Sequence, residues 1–318
     1  MNTTVMDGRK VAQQIRTRIR DDVQTFEQKG VKPCLATILI GDDAASKIYL
    51  KIKHSNCREV GIESRDFQLP ANTTESELIE LIRKLNNDSS VHGILVQLPL
   101  PEGIDGYRVV ESVSPEKDVD GLHPFNTGRI SYRRYDLIPC TPKGIMALLN
   151  HYRVSVAGKH AVIINRSTLV GKPLYTLISR ADPAQMLLLN TDMLLLNSDA
   201  TVTICHSKTQ DLMNYTREAD ILITAVGNRL DFMIRGEMIK PGAVVVDAGI
   251  SKIDGKIYGD VNLESVIGRA SYVTPVPGGV GPMTVAMLLH NTLIAAGKQT
   301  GVETRYDING LWTRDEEP

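Results

Sequence analysis

The sequence predicts an α/β protein with two domains, each built around a parallel β-sheet. Its 318 residues exceed the size of one small domain and suit two domains of about 100–200 residues each. Short apolar segments alternate with amphipathic ones, which is typical of parallel strands connected by helices. The alternation restarts after Pro142, so we expect one domain over 1–145 and a second over 146–281.

Composition and charge exclude several classes of protein. Hydrophobic residues make up 42% of the chain and charged residues 23%, which excludes wholesale disorder and a collagen-like fibre. The net charge of −1 gives no general attraction to nucleic acid or to an anionic membrane. No apolar run approaches the ~20 residues of a membrane span. We therefore expect neither a nucleic-acid nor a membrane partner.

The N-terminus and the cysteines indicate the compartment. No basic stretch followed by an apolar one begins the chain, so we expect no secretory signal and a cytoplasmic location, with a mitochondrial one left open. The cysteines are far apart and form no C-x-x-C pair, which argues against a disulfide framework and against a structural zinc site. No metal is expected. The four cysteines are Cys34, Cys57, Cys140 and Cys205.

The helices of the first domain follow from their period and their end signals. Apolar residues recur every three or four positions from Val11 to Phe26, and Gly30 is expected to end this helix. Thr74 and Glu77 have the spacing of a capping box, which predicts a helix through residue 85. The remaining predicted elements are a helix over 44–60 and strands over 34–40, 65–69 and 93–97.

The second domain has the alternation of a dinucleotide-binding fold. A last helix is predicted from Pro282 through Ala296, because a proline is best tolerated at the first helical position. The polar tail over 299–318 is expected to be poorly ordered. The other predicted elements are strands over 159–164, 200–204, 220–224, 243–247 and 272–274, and helices over 144–152 and from about residue 173.

One segment interrupts the pattern. Residues 186–192 are repeated at once as 193–199, with a single difference, Thr191 against Ser198. The favoured interpretation is an inserted helical extension or a long loop near 183–199. The alternative is a partner surface, because two adjacent Met-Leu-Leu-Leu blocks must be buried somewhere.

Three segments of the first domain contain candidate catalytic groups. Tyr49 and Lys53 lie four positions apart on a predicted helix and point the same way. Lys53 is either an exposed surface lysine or an amine in a cleft with a lowered pKa, and spacing alone does not choose. Gln97 ends a predicted strand, where α/β sheets place ligand-binding groups; the alternative is a plain strand end followed by rigid turn residues. Asp120 is either a solvated turn carboxylate or an acceptor for paired N–H groups of a heterocycle.

In the second domain, a turn between strand and helix indicates a phosphate site. Asn165 stands at the first glycine position of a G-x-G-x-x-G fingerprint and Gly171 matches its last, so the motif alone is weak. No acid follows the next strand to hold a ribose 2′-hydroxyl, whereas Arg166 and Ser207 would accept a 2′-phosphate. The residues therefore favour NADP. His206 reads as a strand-end surface residue. A rigid Pro- and Gly-rich loop over 274–284 is predicted to bind an anion or a heterocycle.

Six ordered segments, taken together, closely resemble the bifunctional methylenetetrahydrofolate dehydrogenase/cyclohydrolase family, from about residue 7 to residue 297. They are Tyr49-x-x-x-Lys53, Gln97-Leu-Pro-Leu-Pro101, Lys117-Asp-Val-Asp-Gly121, Pro139-Cys-Thr-Pro142, the turn over 166–173 and the loop over 275–284.

The resemblance implies a fold and an activity. A folate-binding α/β domain, completed by a returning C-terminal helix over 282–298, would face an NADP-binding Rossmann domain across a cleft. Members oxidise 5,10-methylenetetrahydrofolate with NADP and hydrolyse the resulting 5,10-methenyl cation to 10-formyltetrahydrofolate. A homodimer through the Rossmann domain, tetrahydrofolate one-carbon derivatives as ligands and a role in purine biosynthesis are also implied. Asn165 at a usual glycine, Ala248 and the insertion depart from the family pattern.

The resemblance also assigns residues. Lys53 would handle the proton of the attacking water, Gln97 would orient the amine, and Tyr49 would stack on the substrate and share in proton transfer. The substrate-binding set is Tyr49, Val96, Gln97, Leu98, Asp120, Pro277, Gly278 and Gly279. The cofactor-binding set is Asn165, Arg166, Ser167, Gly171, His206, Ser207, Ile250 and Thr284.

Three alternatives stay open at this level. A monofunctional member would retain only one of the two activities. A shikimate-type dehydrogenase also pairs a lysine with a Rossmann domain, although the loop over 275–284 argues against it. A non-enzymatic NADP-binding module would result if the insertion blocked the cleft.

Overall fold

The computed structural model describes residues 2–132, 134–179 and 199–303. The duplicated segment up to residue 198 and the tail beyond residue 303 lie outside the described residues, and so does the side chain of Tyr49. The described chain divides into two compact units. The three-stranded unit contains residues 14–140 and 285–303, and the six-stranded unit contains residues 2–13 and 141–284.

Strands and helices alternate through most of the chain. The strands are β1 (Thr4–Val5), β2 (Cys34–Ile40), β3 (Glu63–Leu69), β4 (Gly93–Val96), β5 (His160–Ile164), β6 (Thr201–Cys205), β7 (Ile221–Thr224), β8 (Val244–Asp247), β9 (Ser251–Ile253), β10 (Lys256–Tyr258) and β11 (Tyr272–Val273). The helices are α1 (Gly8–Gln28), α2 (Ala44–Val60), α3 (Glu75–Asn87), α4 (Gly106–Ser112), α5 (Pro124–Ser131), α6 (Cys140–His151), α7 (Gly171–Ile178), α8 (Leu212–Glu218), α9 (Leu263–Val266) and α10 (Val280–Thr300).

The three-stranded unit has a parallel sheet in the order β3-β2-β4. All seven residues of β2 are buried, as expected for a central strand covered on both faces. Residues 117–119 run parallel to β4 beyond its free edge, where Ile94 N donates to Lys117 O at 2.7 Å. The sheet therefore carries the segment leading to Asp120 alongside the strand leading to Gln97.

Local signals placed α1, α2 and α3 correctly, whereas α4 and α5 were not predicted. The apolar stripe of α1 is buried from Val11 to Phe26, and Gly30 follows the helix with φ of 75°. The capping box of α3 is confirmed: Glu77 N donates to Thr74 Oγ1 at 3.3 Å, and Thr74 N donates to Glu77 Oε2 at 2.8 Å.

The six-stranded unit has a parallel sheet in the order β1-β11-β8-β7-β5-β6. The chain leaves β6 at one edge and returns on the other side of β5 to form β7. Such a reversal opens a crevice at the carboxyl ends of the strands, where α/β proteins bind ligands. The two-residue strand β1 was not predicted, because it pairs with β11, more than 260 residues away, and has no local pattern of its own.

The C-terminal helix α10 returns to the three-stranded unit, as predicted. Asn291 Nδ2 donates to Val119 O at 2.8 Å and to Ile138 O at 2.9 Å, and Gln299 Nε2 donates to His92 O at 2.8 Å. In the described part of the chain, α10 alone is long and apolar enough to cross a membrane by composition, but 67% of that stretch is buried within the protein.

The predicted limits of α10 were wrong at both ends. It begins at Val280 and continues to Thr300, so Pro282 is its third residue and not its first. The displacement costs little, because none of the first four N–H groups of a helix has an intrahelical partner. The predicted domain ranges themselves stay predictions.

Candidate active site

The carboxyl end of β4 brings two predicted side chains together. Lys53 lies in α2, which follows β2, and Gln97 is the first residue after β4. Lys53 Nζ donates to Gln97 Oε1 at 2.8 Å. Both side chains are half-buried, and their hydrogen bond fixes the direction of the amine. The alternative of a freely exposed surface lysine is wrong for Lys53.

Gln97 is itself held at both its backbone and its side chain. Its N–H donates to Ile38 O at 2.9 Å, which continues the sheet pairing one residue past β4. Its Nε2 donates to Leu98 O at 2.7 Å, which leaves Oε1 turned toward Lys53. Because the amide nitrogen is anchored, the amine receives an acceptor of fixed orientation.

Burial sets the electrostatics around Lys53. Loss of hydration lowers the pKa of the Lys53 amine, and the negative charge of Asp120 partly opposes that shift. The pKa of Asp120 is raised by burial and lowered again by the charge of Lys53 and by a hydrogen bond from Cys140. Burial also raises the pKa of the Cys57 thiol, one turn after Lys53, to about 12. The Lys53 amine, the Asp120 carboxyl group and the neutral Cys57 thiol therefore share one poorly hydrated region.

The three charged residues of the Lys117-Asp-Val-Asp-Gly121 segment interact with different partners and therefore have different roles. Lys117 Nζ donates to Leu85 O at 3.0 Å and to Asp88 O at 2.7 Å, which satisfies carbonyls at the end of α3. Asp118 accepts from Leu122 N at 3.1 Å and from His123 N at 2.8 Å, which holds the following turn. Asp120 alone is electrostatically coupled to Lys53. The segment thus contains two structural charges and one candidate ligand-binding carboxylate.

Two residues on other elements, Cys140 and Asn291, support Asp120. Cys140 belongs to the Pro139-Cys-Thr-Pro142 segment noted in the sequence, whereas Asn291 was not predicted. The carbonyl oxygen of Val119 accepts from Asn291 Nδ2 at 2.8 Å and from Cys140 Sγ at 3.3 Å. Gly121 has φ of 73°, and an added Cβ would lie 2.5 Å from the carbonyl carbon of Ile138. The backbone on each side of Asp120 is therefore clamped. An asparagine within an otherwise apolar helix was the available signal for Asn291.

The turn between β5 and α7, together with the first residue of α7, contains four of the predicted cofactor residues. Asn165 Oδ1 accepts from Ser167 N at 2.8 Å, from Ser167 Oγ at 2.8 Å and from Gly171 N at 3.0 Å. Asn165 Nδ2 donates to Ala225 O at 2.6 Å, at the end of β7. An added Cβ on Gly171 would lie 2.2 Å from Asn165 O, so only glycine fits there. Arg166 is exposed and makes no hydrogen bond or ion pair with any described residue.

The neighbouring strand end contains the next two predicted residues. Because Ile164 pairs with Cys205 in parallel register, Arg166 and Ser207 follow adjacent strands at the same edge of the sheet. Ser207 is exposed. His206 Nδ1 accepts from Lys208 N at 3.1 Å, so its ring stabilises this turn. An exposed guanidinium, an exposed hydroxyl and no strand-end acid are the features that fit a 2′-phosphate.

Two buried carboxylates, Asp247 and Asp260, shape the loops that follow β7 and β8. Asp260 accepts from Val226 N at 2.6 Å, from Gly227 N at 2.9 Å and from Thr224 Oγ1 at 2.8 Å. Asp247 accepts from Gly249 N at 3.0 Å and from the backbone of Asp260, also at 3.0 Å. Burial raises the pKa of Asp247 to about 7, although its backbone hydrogen bonds oppose the shift.

The same carboxylates position an apolar surface. Val226 and Ile250 are 40% and 45% exposed in the loops after β7 and β8. Ile250 was predicted to bind the cofactor, and its exposure at the carboxyl edge of the sheet suits an apolar ring contact. Asp260 gave no sequence signal, because its contribution arises through backbone groups far from it in the chain.

The glycines of the loop over 274–284 have internal reasons for their positions. Gly278 has φ of 118°, and its carbonyl oxygen accepts from Arg9 N at 3.1 Å. An added Cβ on Gly279 would lie 2.7 Å from Pro275 O. Pro277 is exposed, whereas both glycines are buried. The hydroxyl of Thr284 lies 3.0 Å from that of Thr141. Contact of this loop with a ligand stays a prediction.

Val96 and Leu98 flank Gln97, the first buried and the second half-buried. Tyr49 lies in α2 one turn before Lys53, but its side chain is outside the described residues. Over residues 2–132, 134–179 and 199–303, no group of three or more His, Cys, Asp or Glu side chains is arranged to hold a metal ion.

Two family models match the chain. The catalytic-domain model of tetrahydrofolate dehydrogenase/cyclohydrolase matches residues 6–120, and the NAD(P)-binding-domain model of the same name matches residues 139–300. A protein named "Bifunctional protein FolD" from Nitrosopumilus maritimus is 47% identical over 296 residues, which is 93% of this chain and 97% of that protein.

Solved structures agree with the sequence matches. A bifunctional FolD methylenetetrahydrofolate dehydrogenase/cyclohydrolase from Campylobacter jejuni is 45% identical, with a TM-score of 0.83 over 93% of this chain and 99% of its own. An N5,N10-methylenetetrahydrofolate dehydrogenase-cyclohydrolase from Trypanosoma brucei, solved with an NADP cofactor and an inhibitor, is 37% identical, with a TM-score of 0.84 over 94% and 98% of the two chains.

Proposed function

The chain belongs to the tetrahydrofolate dehydrogenase/cyclohydrolase family, and we propose that it carries out both reactions of that name. It oxidises 5,10-methylenetetrahydrofolate with NADP⁺ to 5,10-methenyltetrahydrofolate and NADPH. It then adds water to the methenyl cation, which gives 10-formyltetrahydrofolate and a proton. The hydrogen bond between Lys53 and Gln97 carries this proposal, because it places a primary amine of lowered pKa in the matched catalytic domain.

The oxidation requires positioning more than acid–base chemistry. When bound, NADP⁺ accepts the hydride from the methylene carbon, while the nitrogen lone pairs of the substrate stabilise the product cation. The six-stranded unit offers Arg166 and Ser207 to a 2′-phosphate and the exposed side chains of Val226 and Ile250 to an apolar ring. Holding the reacting groups in this way can supply part of the ~7–11 kcal/mol available from orientation.

The hydrolysis requires a group that manages a proton. Water loses a proton as it attacks the methenyl carbon, and an amine with a lowered pKa is a suitable acceptor near neutral pH. Gln97 fixes the direction of the Lys53 amine, and Asp120 would accept N–H groups of the pterin ring. A cationic substrate would lower the Lys53 pKa further, because like charges disfavour the ammonium form.

The proposal is tested by a spectroscopic assay of the purified chain. With 5,10-methylenetetrahydrofolate and NADP⁺, we expect NADPH to form and 10-formyltetrahydrofolate to follow, with slower reduction of NAD⁺. Methenyl accumulation without hydrolysis would contradict the cyclohydrolase half. Turnover of shikimate without turnover of the folate substrate would contradict both halves of the proposal. The presence of Lys53, Gln97 and Asp120 in one site favours the bifunctional enzyme over a monofunctional one.

We also propose a homodimer through the six-stranded unit. Strands β9 and β10 form an antiparallel hairpin that pairs with no other described strand, and Ile257 and Tyr258 on it are 42% and 38% exposed. An isolated hairpin is marginally stable in water, so a partner surface would stabilise it. Ile257→Lys should shift the sedimentation coefficient toward that of a monomer, whereas Ile267→Lys, at another exposed isoleucine of this unit, should not.

We further propose that the protein is cytoplasmic and contributes to purine biosynthesis. All four cysteines are buried and free, which fits a reducing compartment and hence a cytoplasmic location. The 10-formyltetrahydrofolate formed would serve as a formyl donor, consistent with a role in purine biosynthesis.

A further inference from the structure

The carboxamide of Asn165 occupies the interior of the phosphate turn. Its Oδ1 accepts three hydrogen bonds, from Ser167 N at 2.8 Å, Ser167 Oγ at 2.8 Å and Gly171 N at 3.0 Å. Two of these donors are backbone N–H groups that flank the entrance to α7. A dinucleotide fingerprint has glycine at the position of Asn165, and glycine has no side chain to place there.

The same donors are of the kind that bind phosphate. Successive backbone N–H groups in a turn before a helix form a concave site for anions, and the helix dipole favours negative charge there. In this chain an uncharged oxygen belonging to Asn165 takes those donors. The single O–H donor of Ser167 is also taken by Asn165 Oδ1, while the Ser167 oxygen accepts from Val170 N at 3.1 Å.

A second contact holds the carboxamide in place. Asn165 Nδ2 donates to Ala225 O at 2.6 Å, across the sheet from β5 to β7. For a ligand to use Ser167 N and Gly171 N, the carboxamide must rotate out of the turn and lose this bond as well. If the carboxamide stays in the turn, a phosphate can use only the backbone N–H groups of Arg166, Thr168 and Leu169. These three groups form no hydrogen bond with any described residue.

We propose that Asn165 is an affinity-determining residue that competes with the cofactor pyrophosphate for the donors of its own turn. The competition weakens NADP and NAD equally, because both contain the pyrophosphate. This inference rests on the proposed function, since it assumes a dinucleotide in this turn. It adds a determinant separate from Arg166, which acts only on the 2′-phosphate.

Titration calorimetry of NADP⁺ and NAD⁺ with three Asn165 variants tests the proposal. Asn165→Gly frees the donors and should lower both dissociation constants by a similar factor, about five- to tenfold. Asn165→Ala also removes the oxygen, but alanine leaves the backbone less flexible than glycine does. This variant should lower both dissociation constants as well. Asn165→Asp places a charge in the turn and should raise both constants. Asn214→Ala, an exposed asparagine of the same unit, serves as the control and should leave both unchanged.

The dissociation constants should fall in Asn165→Gly and rise in Asn165→Asp. This contrast distinguishes competition for the donors from simple damage to the turn, because damage would weaken binding in every variant. Unchanged or weaker binding by folded Asn165→Gly and Asn165→Ala, with thermal unfolding as the check of folding, would overturn the proposal. If the wild-type chain bound neither dinucleotide, the proposed function would be rejected, and the Asn165 inference with it. Wild-type binding that the variants fail to strengthen would reject the Asn165 inference alone.

Discussion

The Lys53 amine donates to the Gln97 carboxamide oxygen at 2.8 Å, across 44 residues of sequence. Each partner is anchored by an element that the sequence defines locally, α2 for the lysine and β4 for the glutamine. The carboxamide cannot take up a proton near neutral pH, so it orients the amine without neutralising it.

Replacing Lys53 with methionine should separate the two activities. Lys53→Met keeps much of the side-chain volume but removes the proton acceptor, so hydrolysis should fall by at least about 100-fold. Oxidation needs no base and should fall much less. Absorbance of the methenyl intermediate and of NADPH measures both rates, with Lys51→Met, an exposed lysine of the same helix, as control. An equal fall in both rates with folding intact would show that Lys53 is not specific to hydrolysis.

The hydrolysis rate should rise with pH and reach its plateau below the usual lysine range. Burial lowers the Lys53 pKa, so the neutral amine forms at a lower pH than in an exposed lysine. Gln97→Glu places a carboxylate beside the amine and favours the ammonium form, which should move the midpoint about 1–2 pH units upward. The enzymatic rate, corrected for spontaneous hydrolysis, gives the profile. A midpoint that does not move in this variant would argue that Lys53 is not the titrating group.

Arg166→Ala should change cofactor choice. We propose that the exposed Arg166 guanidinium binds the 2′-phosphate, so its loss should cost about 1–3 kcal/mol with NADP. The KM for NADP should therefore increase by about tenfold or more, while that for NAD changes little. Lys159→Ala, at the opposite end of β5, is the matched control. Equal effects of Arg166→Ala on both dinucleotides would contradict the 2′-phosphate assignment.

Asp260→Asn should destabilise the six-stranded unit. The carboxylate accepts from two backbone N–H groups and one hydroxyl, and the amide replaces one acceptor oxygen by a donor that faces other donors. We expect the free energy of unfolding to fall by about 2–4 kcal/mol. Urea denaturation measures it, and Asp231→Asn, at an exposed aspartate of the same unit, should change it by less than about 0.5 kcal/mol. A small effect at Asp260 would mean that solvent replaces its hydrogen bonds.

Asp247 should make stability depend on pH in the unusual direction for an aspartate. Its pKa is raised to about 7 in the folded chain, so the folded state favours the protonated form. The resulting stabilisation is complete below the unfolded pKa of ~3.9 and is lost as pH rises through 7, with a slope of about 1.4 kcal/mol per unit between the two values. The difference in unfolding free energy between wild type and Asp247→Asn should follow this course. Parallel pH dependences of the two proteins would mean that the folded pKa of Asp247 is not raised.

Sequence patterns of short range were sufficient for most of the architecture. The apolar stripe of α1, the capping box at Thr74 and the strand runs each depend on residues a few positions apart, which is why their elements were predicted within a few residues. The candidate amine, amide and guanidinium at positions 53, 97 and 166 were also identified in this way. Weakly patterned elements such as β1 and the hairpin of β9 and β10 were missed, because long-range pairing or local turn geometry forms them.

What the tertiary structure decided was the partner of each polar group. Asp118 and Asp120 are two residues apart and chemically identical, yet one holds a turn and the other is coupled to Lys53, since different parts of the fold surround them. Asn165 turned out to bind its own turn, and Asn291 and Asp260 acquired their contacts only through segments distant in sequence. Residue type and spacing determine which groups are present and which local element carries them. Only the tertiary contacts between segments distant in sequence determine which donor meets which acceptor. Each such contact depends on how all the elements between the two segments pack.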